Sequence, residues 1–332
     1  MFKKLTLLLV LAAALWSGYW FWGAQTLKSE YQTWFDARES EGWQAEYSAL
    51  DVRGFPNRFD TTWSDLALAD PETGLAWEAP FFQLLMLSYK PNHVIAIWPD
   101  THRFSSVNQS FDITNDSLQA SLVTDAAPDL PLRRANLAAE TLTLTETRSG
   151  DVTALAALRA AVERQEDTPS YRIAATADGL ALSAPLLRQL GRALPETFST
   201  ARLDMTATFD TPWGLSAVET ARPQPTAIDL DIAEAAWGPM QLRLSGELEI
   251  DQTGRPEGAV SLQAREWRDM LELAEATELL PRGAAEAIAG PLGALAALSG
   301  NADALDVELT FRRGQVFLGP LPLGPAPRIQ LR

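Results

Sequence analysis

From Leu5 to Leu27 the chain carries no charged side chain, and residues 5–24 read LTLLLVLAAALWSGYWFWGA. About twenty helical residues rise roughly 30 Å, the hydrocarbon depth of a bilayer. The run is therefore expected to form a membrane-spanning helix, with Leu5 near its entry and Leu11 near its centre. Lys3 and Lys4 precede it, which predicts a cytoplasmic N-terminus and a translocated remainder. Trp16, Tyr19, Trp20 and Trp22 cluster at the far end, where amphipathic rings suit a membrane interface. Ala12-Ala13-Ala14 offers an A-x-A cleavage site, the signature of a removable signal peptide. Length favours an uncleaved anchor, because the apolar run continues well past Ala14. Leu27, Tyr31, Trp34 and Arg38 then recur at helical spacing until Gly42 supplies a stop. The expectation is a continuous helix within residues 1–42 that lifts a body, residues 43–332, away from the bilayer.

In that body the dominant period is two. Leu203, Met205, Ala207 and Phe209 alternate with Arg202, Asp204, Thr206, Thr208 and Asp210. Ile228, Leu230 and Ile232 alternate with Asp229 and Asp231, and 240–251 and 305–312 repeat the pattern. Strands with one apolar and one polar face predict an antiparallel sheet. Further strands are expected at 43–53, 58–69, 75–79, 81–90, 93–98, 104–113 and 117–124. Turn chemistry marks Asp70-Pro71, Asp178-Gly179, Trp237-Gly238-Pro239 and Asp251-Gln252-Thr253-Gly254. Helices are expected over 151–166, from Ser183 to Leu194, over 267–275, and over 284–298 with a break at Gly290-Pro291. The Pro-rich passage 125–135 marks a candidate subdivision, and the Pro-rich end 319–327 should be extended against a sheet edge.

The predicted fold class is α+β and β-dominated: a transmembrane helix, then a large curved antiparallel sheet, half-barrel-like, carrying a few amphipathic helices. About a dozen strands exceed what an open sheet comfortably holds, so the sheet must curl or split. An apolar face that helices cover is a core. One left partly open is a groove for an acyl chain or a hydrophobic partner.

Composition narrows the chemistry. A net charge of −16 is the wrong sign for nucleic acid, and the absence of cysteine removes disulfides, thiolate catalysis and Cys-ligated metals. No nucleophile elbow, phosphate loop, dinucleotide fingerprint or zinc motif occurs. His93 and His102 fit no ligand spacing and read as loop residues. Asp229 and Asp231, roughly 6.6 Å apart on a regular strand, have the spacing of a glycosidase pair or a Ca²⁺ site. So do Glu247, Glu249 and Asp251, but all five read as a solvated face. No catalytic residue, cofactor or metal is expected.

At Gly54-Phe55-Pro56-Asn57-Arg58-Phe59, Trp77-Glu78-Ala79-Pro80 and Tyr89-Lys90-Pro91-Asn92-His93-Val94 the chain resembles the family called domain of unknown function 2125. The spacing of Leu244, Gly246, Leu248, Asp251, Gly254, Pro256 and Gly258 is similar to that family's C-terminal half. A looser similarity, in topology and strand pattern only, is to AsmA-like envelope proteins. The resemblance implies a single-span inner-membrane protein facing the periplasm, with no catalytic residues to carry over; the one-sided strands tethered above the bilayer add the expectation of a lipid or an envelope protein as partner. From the residues alone, Gly54-Phe55-Pro56 reads as a strand-ending kink and Trp77–Pro80 as a strand meeting a proline.

Overall fold

The computed structural model describes residues 2–166, 168–183, 197–276, 283–298, 301–319 and 321–331. It is β-dominated, and the chain divides into two compact units, one formed by Met1–Thr124 with Leu137–Gly150 and the other by Asp125–Asn136 with Asp151–Arg332.

The first unit opens with α1 (Phe2–Ser40), which is one helix from end to end. It stops where Gly42, at φ +90°, lets the chain turn. β1 (Gln44–Glu46), β2 (Ala49–Arg53), β3 (Arg58–Asp70), β4 (Leu75–Leu87), β5 (Lys90–Ile97), β6 (Thr101–Ser105) and β7 (Ser110–Thr124) follow. β1 and β2 share β3 as partner, β3 pairs with β4, and β5 and β6 share both β4 and β7, all antiparallel.

Pro80 does not end its strand as expected; β4 runs through it. The site tolerates a residue without an amide donor because the ladder is interrupted on both sides there. Towards β3, the paired residues step from Leu66–Ala79 to Ser64–Phe81, skipping Asp65, whose φ is +48°. On the other side, pairing with β6 covers Ala76–Glu78 and pairing with β5 begins only at Gln83.

The helix does not lift the sheet away. Trp20 and Ala24 pack against Phe59 and Met86, with Leu27, Val52 and Val94 around them. Further along, Phe35 packs with Ala45, Leu50, Trp63 and Leu66, joined by Tyr31. Each large side chain buried this way contributes about 1.5–3 kcal/mol, so the helix and this sheet share a core.

In the second unit β9 (Val152–Arg164), β10 (Ser170–Ala181), β11 (Thr197–Phe209), β12 (Pro225–Trp237), β13 (Met240–Ile250), β14 (Pro256–Arg265), β15 (Ala304–Arg312), β16 (Gln315–Leu318) and β17 (Leu321–Pro325) form an antiparallel meander. β8 (Leu132–Glu146) precedes them in the chain. The expected helix over 151–166 is strand β9. Its Leu155, Leu158 and Val162 fit a helical stripe, but Leu158, Ala160 and Val162 also alternate with Arg159, Ala161 and Glu163. Register with β10 selects that second reading, setting Val162 opposite Ile173 and Leu158 opposite Ala177.

Asp178-Gly179 is likewise no hairpin. It lies inside β10, with Asp178 opposite Thr200 and Gly179 at φ +64°. Trp237-Gly238-Pro239 and Asp251–Gly254 are turns, as expected: Trp237 pairs with Met240, and the Gly254 amide donates to the Asp251 carbonyl at 2.8 Å. The expected helix beyond Ser183 falls outside the described residues.

α2 (Leu215–Glu219) lies between β11 and β12, where no element was expected. α3 (Trp267–Ala276) and α4 (Ala284–Leu298) follow β14, and α4 continues through Pro291 instead of breaking there. The helix loses one internal bond at the proline, yet Leu292 and Ala296 beyond it still seat against Trp267, Ala264 and Leu305. The Pro-rich end pairs with β16 as β17. Beyond it, Ala326 and Ile329 donate to the carbonyls of Gly314 and Gly254, strapping two hairpin turns.

Candidate functional site

Register joins the second unit's apolar positions into one face. One row runs Ala175–Leu203–Ala233–Leu244–Leu262–Val307, and another Tyr171–Ala207–Ile228–Leu248–Gly258–Phe311. Both ends of this face are capped. At one, α3 and α4 bring Trp267, Leu292 and Ala296 onto Ala264, Leu305 and Leu318. At the other, Tyr171, Ala207 and Phe209 pack with Leu132 and Trp213, and the Trp213 amide donates to the Tyr171 hydroxyl at 3.0 Å. Between the caps Leu203, Ile228, Leu230, Leu244, Leu248 and Phe311 remain only half-buried.

The opposite face is polar. Arg172 meets Asp204 side-on, Nε to Oδ1 at 2.9 Å and Nη2 to Oδ2 at 2.8 Å. The guanidinium holds the Asp204 carboxyl below its ordinary range, against the opposing effect of its burial. Asp229 sits between Thr206 and Glu247 in a shallow depression of about 680 Å³, with Glu249 and Glu257 beside it.

The expected Asp229–Asp231 pairing fails. A bulge between Leu230 and Ala233 makes Asp231 the inserted residue, so Ile232 takes the place opposite Asp204. Asp251 is absorbed by its own turn, where Oδ1 accepts from the Thr253 and Arg255 amides. Among the described residues no three His, Asp or Glu side chains are placed to hold a metal.

In the first unit, a depression of about 660 Å³ is lined by Asp65, Glu78, His102, Arg103, Asp112 and Thr114. His102 is not a loop residue; it lies on β6 and is buried, its ring edge-on to Trp77 at 6.2 Å. Burial holds its imidazole below the ordinary range, and its Nδ1 has no partner. Arg103 is tied to Asp112 at 2.8 Å.

The motif residues fall in three places. Gly54, Phe55, Pro56 and Arg58 form the β2–β3 turn, in which Gly54, at φ +102°, accepts from the Asn57 and Arg58 amides. Pro91 and His93 open β5. α1 joins both: Trp16 Nε1 donates to the Pro56 carbonyl at 2.9 Å, Trp20 Nε1 to that of Arg58 at 2.7 Å, and the Tyr19 hydroxyl to that of Ser88 at 2.6 Å. Trp77 and Pro80 lie elsewhere; Trp77 is opposite Leu68 and Met86 opposite Phe59, roughly 30 Å apart along β4. Leu5 and Leu11 are exposed along the free part of α1, with Lys3 and Lys4 at its start, and Trp22 points outward.

The family model described as "Uncharacterized protein conserved in bacteria (DUF2125)" matches residues 20–327. The chain belongs to the DUF2125 family. The match begins at Trp20, inside the apolar run, so the DUF2125 region includes the part of α1 that docks on the sheet. No curated protein and no solved structure matches the chain. Among the described residues α1 is the one helix long and apolar enough to cross a membrane.

Proposed function

We propose that this DUF2125 protein is a non-enzymatic, single-span inner-membrane protein that holds a lipid acyl chain against the apolar face of β10–β15. The N-terminus is cytoplasmic and the bulk periplasmic. Lys3 and Lys4 ahead of an uncharged run support that orientation. The observation that carries the ligand reading is the half-buried middle of a face whose two ends are capped. Leaving several large apolar side chains partly in contact with water forgoes a fraction of the ~1.5–3 kcal/mol each would gain on full burial. A hydrocarbon chain laid across them recovers that difference.

The test uses the full chain in vesicles containing a phospholipid with a photoreactive diazirine near its acyl terminus. Crosslinks to β11, β12 and β13 peptides at Leu203, Leu230 and Leu244 are expected, and Leu244→Lys should weaken them. Labelling restricted to α1 overturns the reading. Capture of a protein in place of lipid at those positions does so as well.

A further inference from the structure

The free part of α1 is short. Its exposed stretch ends at Leu15, and the uncharged part from Leu5 onward is about 16 Å of helix at 1.5 Å per residue, against roughly 30 Å of hydrocarbon. From Trp16 onward the helix is tied to the β2–β3 turn and to Ser88 by the three side-chain hydrogen bonds from Trp16, Tyr19 and Trp20. A span that fills the bilayer from Leu5 therefore brings those turns into the outer interface.

What the turns display agrees with this placement. Phe55 is 51% exposed and Tyr89 57%, while Phe21 and Trp22 on the helix are 62% and 68% exposed. Phe21 stacks on Phe55 at 5.6 Å and 19° between planes, so ring surface continues from helix to turn. Exposed Arg58 and Lys90 flank these rings. Aromatic rings beside cations are the composition of a membrane–water interface.

We infer that the Gly54–Arg58 and Ser88–Pro91 turns, with Phe21 and Trp22, form an aromatic collar that seats the first unit in the phospholipid headgroup layer. Phe55 and Tyr89 enter the boundary between headgroups and acyl chains. This rests on the membrane-spanning reading of α1 but is independent of any ligand on the second unit.

Because the chain contains no cysteine, single introduced cysteines can carry a fluorophore at known sites. Phe55→Cys, Tyr89→Cys and Asn57→Cys report on the collar, the last leaving every ring in place. Glu72→Cys, in the turn at the opposite end of the thirteen-residue β3, is the control. The labelled full chains are reconstituted into phosphatidylethanolamine/phosphatidylglycerol vesicles containing lipid with a nitroxide at a shallow acyl position. Several-fold stronger quenching at 55, 57 and 89 than at 72 is expected. Equal, weak quenching at all four sites in chains that float with the vesicles overturns the collar and leaves the span standing. Chains that fail to float in a density gradient overturn both.

Discussion

Gly23 lies directly over the ring of Phe59. A β-carbon on Gly23 would stand 2.8 Å from Phe59 Cζ, closer than real side chains approach. Phe59 is buried among Trp20, Ala24 and Met86. Gly23→Leu should therefore separate helix from sheet at this level, costing about 1–3 kcal/mol by overpacking. Thermal unfolding in detergent, together with faster hydrogen exchange in β3, checks this; an unchanged midpoint would show that the contact is not needed.

A charge at the middle of the free helix tests the span itself. Leu11→Arg should cost ~2.5–3.5 kcal/mol of insertion and shift the chain out of the membrane fraction. Retention equal to that of the unaltered chain would argue against a span.

His102 gives the first unit a pH dependence. Its imidazole is held below the ordinary histidine value of 6.5 by burial, so the folded state resists a proton that the unfolded chain accepts. Stability is complete above pH 6.5 and falls as pH drops from there through the folded value. His102→Phe keeps a ring against Trp77 and should flatten that slope, read as unfolding midpoints between neutral and mildly acidic pH.

Asp204 acts in a lower window. Its carboxyl is held below 3.8 by Arg172, so its contribution is present above that value and lost as pH falls through the folded one. Arg172→Met should lower stability only slightly at neutral pH, because the guanidinium is mostly exposed and water screens the pair. The variant's acid unfolding should also be less steep below pH 3.8.

Gly246 marks a close approach of backbones. A β-carbon there would meet the Ala259 carbonyl oxygen at 2.2 Å and Val260 Cα at 2.7 Å. Gly246→Ala forces β13 and β14 apart and should cost about 1–3 kcal/mol, the range of overpacking. Denaturant midpoints measure it.

The strands were readable where large apolar residues alternate with charges, as Leu203–Phe209 and Leu305–Phe311 do in β11 and β15. β9 was not, because alanine suits both periods and only its partner's register selects one. The bulge at Asp231 and the left-handed Asp65 left no mark in the sequence, since both arise from how neighbouring strands align. Docking of the helix did leave one: Trp20, Ala24, Leu27, Tyr31 and Phe35 form a single stripe at steps of three and four. Only Leu27 and Tyr31 of that stripe stand out in the sequence, in a pattern that continues to Trp34 and Arg38 instead of Phe35, because the aromatic cluster before them reads equally well as an interface belt. Half-exposure of Leu244 and Leu248 depends on which segments cap the face, and pattern alone does not encode that.

α1 contains no break between its free apolar turns and the turns locked onto β3 and β4. A helix so continuous is a stiff lever and not a leash. Any tilt or rotation imposed on its exposed portion is delivered undiminished to the sheet it grips, so the medium around the first fourteen residues sets the heading of the whole first unit.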